Sequence, residues 1–189
     1  MTTQPQPGDA LLIVDVQKDF LPGGRLAVPD GDQAIAPLND WISRFTSAGL
    51  PVFATRDWHP ADHCSFLPQG GTWPPHCVAG TEGAAFADGL KLPANATIVS
   101  KATRKDADAY SGFAGTELQQ LLQERGVHRL FVGGLATDYC VLNSVRDALR
   151  LEYDVQLLTA AIRAVDVQPG DGARAIAEMI TAGAVALEK

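Results

Sequence analysis

Six short apolar runs alternate with stretches of helical period along this chain, and that alternation constrains the fold more than any other feature. The runs are residues 10–14 (ALLIV), 51–55 (PVFAT), 97–100 (TIVS), 130–132 (LFV), 154–158 (DVQLL) and 184–187 (AVAL). Each is strand-sized, and their near-continuous apolar character is that of strands covered on both faces. Between them, residues 32–48 carry Ile35, Leu38, Ile42 and Phe45 at helical spacing and stop at Gly49 and Pro51. Residues 116–125 present Leu118, Leu121 and Leu122 before Gly126, and residues 140–149 repeat Val141, Val145, Ala148 and Leu149. A last helix spans 173–182 and closes at Gly183. Strands and helices in this rhythm predict a three-layer α/β/α architecture with a six-stranded, mostly parallel sheet and right-handed crossovers. No repeat or second core is visible, so one domain is expected over residues 1–189.

The charge balance excludes several partners. Lys and Arg number 15 against 22 Asp and Glu, a formal net charge of −7 without any basic run, so neither a phosphate backbone nor an anionic membrane would be attracted. A small neutral ligand suits the chain better; a homo-oligomer stays open. No stretch approaches the length of a membrane span, and the start, MTTQPQPGDA, does not read as a secretion signal. Three cysteines without a CxxC pair point to free thiols in a reducing, cytoplasmic setting.

Three reactive side chains follow three different strands: Asp15 after the first, Lys101 after the third, and Cys140 beyond the fourth at the first turn of a helix. In open parallel sheets the carboxyl edge is where ligands bind. Alone, an Asp or Lys at a strand end is usually a solvated charge, and a lone Cys is usually core filler. Their convergence favours chemistry. The segment GGLATDYCV leads from a strand into a helix whose backbone N–H groups favour an anion, and so would favour the Cys140 thiolate. The N–H groups of Ala136 and Cys140 are candidates for holding a developing oxyanion. Asp15 would take the thiol proton and return it to a departing amine, while Lys101 holds the pair together. A Cys-His pair assembled from a distant part of the chain is the competing arrangement.

Residues 56–93 hold many Gly and Pro and no sustained period, far longer than an ordinary connection. Within them, TRDWHPADHCSF places Asp57 and His59 two apart, so that in an extended backbone both side chains leave on one side and share an ion. His63, His76, Cys64 and Cys77 are the available third ligands. A mixed set of His and carboxylate suits zinc, iron or manganese. Taken by itself a D-x-H is more often a turn cap with a surface histidine, but three of the four histidines fall in this loop. His128, at a strand start, reads as structural. Phe20, Trp73 and Tyr110 in neighbouring loops would sandwich a planar ring, with Leu26 as a further lining residue; aromatics in loops also commonly cover a core edge.

The set DVQKDF, PGGRLAVPDG, TRDWHPADHCSF, WPPHCVAGTEGAAF, DAYSGF and GLATDYCV resembles the nicotinamidase branch of the isochorismatase-like cysteine hydrolases, in matching order over residues 10–149. The resemblance implies an amidohydrolase acting on linear amides, converting nicotinamide to nicotinate and ammonia in NAD salvage and accepting pyrazinamide. It implies an Asp15-Lys101-Cys140 triad, one divalent metal ion, zinc before iron or manganese, held by Asp57, His59 and His76, and a pocket containing Phe20, Trp73 and Tyr110. It also implies a cis peptide between Leu135 and Ala136, and a ring nitrogen of the substrate directed at the metal. His63 is a ligand in some relatives and not in others, and Ala102 stands where the family usually has glycine.

Rival readings are another small-amide or vinyl-ether hydrolase of the same superfamily, a zinc hydrolase in which the metal activates water directly, and a silent interaction module on the same fold. The vinyl-ether branch needs neither the thiol nor the metal. The zinc hydrolase would survive loss of Cys140, and a silent module leaves the three strand-end residues without explanation.

Overall fold

The structure, a computed structural model, describes residues 4–188. Its middle layer is a six-stranded sheet in the order β3-β2-β1-β4-β5-β6, and every neighbouring pair is parallel. The strands are β1 (Asp9–Val14), β2 (Val52–Asp57), β3 (Thr97–Lys101), β4 (Arg129–Leu135), β5 (Asp154–Arg163) and β6 (Val185–Leu187). Helices α1 (Ile35–Ser47), α2 (Leu118–Glu124), α3 (Leu142–Arg150) and α4 (Asp171–Thr181) connect them. Among the described residues no helix is long and apolar enough to cross a membrane.

Period-two alternation in the central strand sorts its side chains into two cores. Leu11 and Ile13 join Leu38, Trp41, Ile42 and Phe45 of α1 on one face, where Trp41 and Phe45 each lie 5.2 Å from the Phe131 ring. Ala10, Leu12 and Val14 join Leu118, Leu122, Val145, Ala148, Ala175 and Met179 on the other. The sheet therefore carries α1 on one side and α2, α3 and α4 on the other, the three-layer arrangement expected. Strand order reverses between β1 and β4, and a parallel sheet opens a crevice at such a reversal, beyond its strand ends.

Four strands run further than their apolar composition suggests. β2 and β3 continue through the charged residues Asp57 and Lys101, which pair with each other in register. β4 continues through Gly133 and Gly134 to Leu135. At Gly134, φ is +125°, and a Cβ there would fall 2.0 Å from the Val14 carbonyl oxygen, so only glycine lets β4 lie this close to β1. β5 extends to Arg163, with its register shifting opposite residues 132–134. The helix expected from residue 32 is a short 3₁₀ turn, Gly31–Ala34, followed by α1. The helix expected from residue 140 opens as a wide π-type turn, Thr137–Val141, before α3 begins.

Candidate active site

Asp15 is the first residue beyond β1, and its φ of +47° turns it off the strand path. Its side chain is completely buried. Thr55 Oγ1 donates to its Oδ1 at 2.7 Å, and Lys101 Nζ lies 3.0 Å from its Oδ2. The Lys101 ammonium also donates to the Ala109 carbonyl at 3.0 Å, meets Asp57 Oδ1, and sits 3.5 Å from Cys140 Sγ. The Cys140 sulfur and one carboxylate oxygen each of Asp15 and Asp57 all lie within 4.8 Å of one another. Residues from distant parts of the chain thus meet at one point because the neighbouring strands β3, β2, β1 and β4 end side by side.

Burial sets the protonation of this cluster. It raises Asp15, against which Lys101 works, while Asp57 pushes the same way as burial. Burial alone would lower Lys101, but the Asp15 and Asp57 carboxylates outweigh it and hold the ammonium form well above its ordinary range. Burial also pushes the Cys140 thiol well above its usual value, although Lys101 pulls it down. That corrects the expectation that the helix start would favour a thiolate: the opening turn is short and π-like, and removal of water from the sulfur is the larger effect. The thiol keeps its proton at rest and needs a base beside it.

Asp57, His59 and His76 form a second cluster that shares Asp57 with the first. One ligand atom from each lies within 4.8 Å of the other two, and all three residues are buried. His59 Nδ1 bonds the His76 carbonyl at 3.1 Å, and His76 Nδ1 bonds the Pro74 carbonyl at 2.8 Å. A carbonyl only accepts, so both Nδ1 atoms carry the hydrogen and both Nε2 lone pairs are free. Burial and the neighbouring His76 hold His59 down to about 3, so it is neutral. The Asp57 carboxyl group lies among those lone pairs. This donor set fits a divalent cation. His63 is adjacent, its ring 4.4 Å from that of His59, but Nδ1 is bonded to Ser65 Oγ at 2.7 Å and Nε2 to the Ala107 carbonyl at 3.2 Å. Cys77 is buried near this cluster and Cys64 is half-buried.

Cys140 of the first cluster and Asp57, His59 and His76 of the second open into one pocket. Phe20, Leu26, Trp73 and Tyr110 line it together with Ala136, Cys140, Asp57, His59 and His76. Trp73 Nε1 donates to the Tyr110 hydroxyl at 2.9 Å, joining two loops over the pocket. The Leu135–Ala136 peptide is cis. Sequence reasoning missed Val28, Val165 and Tyr139 as lining residues, and Thr55 and Gln17 as supports. Tyr139 has a signal in the sequence, since it precedes Cys140 on the same turn; its ring stands edge-on to Trp73 at 5.3 Å.

Comparison with known proteins agrees with this geometry. The Isochorismatase domain model matches residues 9–188. The nicotinamidase of Escherichia coli (strain K12) is 41% identical, over 94% of this chain and 93% of its own length. Among solved structures, the pyrazinamidase of Pyrococcus horikoshii in complex with zinc superposes with a TM-score of 0.93 at 45% identity, covering 97% of this chain and all of that one. PnC1 from L. infantum in complex with nicotinate gives a TM-score of 0.90 at 37% identity, over 98% and 95% of the two chains. A parallel α/β sheet with a buried thiol, ammonium and carboxylate at its carboxyl edge, together with these relatives, defines the class, an amidohydrolase. Within it, the chain belongs to the isochorismatase domain family.

Proposed function

We propose that this protein, one catalytic domain working in the cytoplasm, is an amidohydrolase that converts nicotinamide to nicotinate and ammonia and also accepts pyrazinamide. One observation carries the reading: Lys101 touches Asp15, Cys140 and Asp57 together, so that nucleophile, base and cation site are joined directly beneath one pocket. The named relatives give the substrate class its identity.

In this reading Phe20, Leu26, Trp73 and Tyr110 hold the ring flat and turn the carboxamide toward Cys140. As Sγ bonds to the carboxamide carbon, its proton passes to Asp15, and the N–H groups of Ala136 and Cys140 take the negative charge growing on oxygen. The C–N bond breaks as Asp15 returns that proton to nitrogen, ammonia leaves, and the acyl group remains on sulfur as a thioester. Water then loses a proton to Asp15 and attacks the same carbon. The C–S bond breaks, the proton returns to Sγ, and the acid product ionises to nicotinate. Lys101 keeps its charge throughout and holds Asp15 against the sulfur. Asp57, His59 and His76 would hold a divalent cation, zinc on the pattern of the Pyrococcus horikoshii relative, which when bound supplies a positive site for the ring nitrogen.

The test is ammonia release from nicotinamide by the purified protein beside its Cys140→Ala variant. Turnover is expected from the first and a loss of at least about a thousandfold from the second, on the scale of other nucleophile deletions. Turnover that survives the substitution would leave attack by a metal-activated water as the mechanism.

A further inference from the structure

Gln17 is completely buried and belongs to neither cluster, yet its side-chain amide makes three hydrogen bonds. Oε1 accepts from the Asp57 backbone N–H at 2.8 Å, and Nε2 donates to the Asp57 carbonyl at 2.8 Å and to the Ala84 carbonyl at 3.0 Å. Gripping one residue through both its N–H and its C=O is what a neighbouring strand does in a sheet. A neighbouring strand is what Asp57 lacks on that side. β1 pairs with β2 at Leu11–Val52, Leu12–Phe53 and Ile13–Ala54, then ends at Val14, and the chain turns away at Asp15. The last backbone contact is the Asp15 N–H to the Thr55 carbonyl at 3.2 Å, two residues short of Asp57.

We propose that Gln17 is a positioning residue for the cation site, its side chain serving as a substitute strand that keeps Asp57 extended. Extended backbone alternates its side chains, so Thr55 and Asp57 are held on one face. That is how Thr55 reaches Asp15 while Asp57 reaches Lys101 and the two histidines. Without Gln17 the end of β2 has two buried backbone groups with no partner on its β1 side and no restraint on where the Asp57 carboxylate points. The cation would then lose its only negatively charged ligand from the set Asp57, His59 and His76, while the histidines, fixed through their own Nδ1 bonds, stay in place.

The inference rests on the cation site of the proposed function, and its test reads metal binding rather than turnover. Zinc affinity would be measured by competition with a chromophoric chelator on wild type, Gln17→Met, Asp57→Asn and a cavity variant, Val145→Ala, that matches Gln17→Met in lost thermal stability. Supporting bonds of this kind are worth about 10- to 100-fold in metal affinity, and a loss of that size is expected for Gln17→Met but not for Val145→Ala. Gln17→Glu keeps the acceptor for the Asp57 N–H and loses both donors; it is expected to weaken zinc as well, and it serves alone if Gln17→Met does not fold. Wild-type zinc affinity in either folded Gln17 variant, or an equal loss in Val145→Ala, overturns the proposal. If wild type binds zinc through Asp57 but releases no ammonia from nicotinamide, the functional reading fails and the role of Gln17 stands.

Discussion

Asp57 and Lys101 face each other in register as the last residues of two adjacent parallel strands, and their side chains meet. Lys101 is thereby shared between two buried carboxyl groups, and its own side chain and that of Asp15 are fully shielded from solvent. Breaking a buried charge cluster by deleting one partner typically costs about 3 to 5 kcal/mol. Lys101→Met should therefore lower stability in urea by an amount in that range while abolishing turnover. An unchanged unfolding midpoint would show that the carboxylates take up protons at no cost, and that the ammonium does not hold the site together.

Thr55→Val tests the other restraint on Asp15. The substitution keeps the shape and removes the 2.7 Å hydrogen bond to Oδ1. Hydrogen bonds to charged groups are worth about 1.5 to 3 kcal/mol, and a destabilisation in that range is expected, with slower turnover because the base is less firmly aimed. Full activity in a destabilised Thr55→Val protein would assign the hydroxyl to folding alone.

Tyr110→Phe removes the acceptor that Trp73 uses across the pocket. One neutral hydrogen bond contributes about 1 kcal/mol, so KM for nicotinamide should rise about fivefold with kcat little changed. A fall in kcat at constant KM would instead place the hydroxyl in the chemistry.

Metal removal should be visible without any substrate. Chelation followed by zinc at about a hundred times its dissociation constant is expected to raise stability by about 2.7 kcal/mol, read as an upward thermal shift, and the gain should vanish in His76→Ala. A shift that persists in that variant would place the cation elsewhere. Ammonia release from nicotinamide should follow the same reversal.

Gly134→Ala should not give folded protein. Its Cβ would enter the space of the Val14 carbonyl at a backbone angle that other residues rarely adopt. Soluble, active Gly134→Ala would mean that β1 and β4 separate more readily than their contact suggests.

The layers and the three converging residues were legible because each depends on local pattern: apolar runs, helical spacing and reactive residues just after strands. Strand ends were not. Asp57 and Lys101 read as residues just past their strands, whereas each is in fact the last rung, paired with the other across the sheet. Gly133 and Gly134 read as a break, yet they carry β4 onward because a close approach to Val14 demands glycine. The ionisation of Cys140 was misread for a related reason. A helix start is visible in sequence, but the depth of burial that overrides it is a property of the assembled layers. Gln17 and Thr55 gave no signal, since what they do is complete a neighbour's hydrogen bonding, and the neighbour is known only after folding.

Asp15 and Lys101 stand at the ends of β1 and β3 and Cys140 on the turn that follows β4, whereas much of the pocket wall comes from the long connections after β1, β2 and β3. Those connections have no ladder to keep in register, so their side chains can be exchanged without moving the sulfur or the base. One scaffold of this shape can thus be refitted to a differently shaped amide by altering its rim, with the bond-breaking apparatus beneath left as it is.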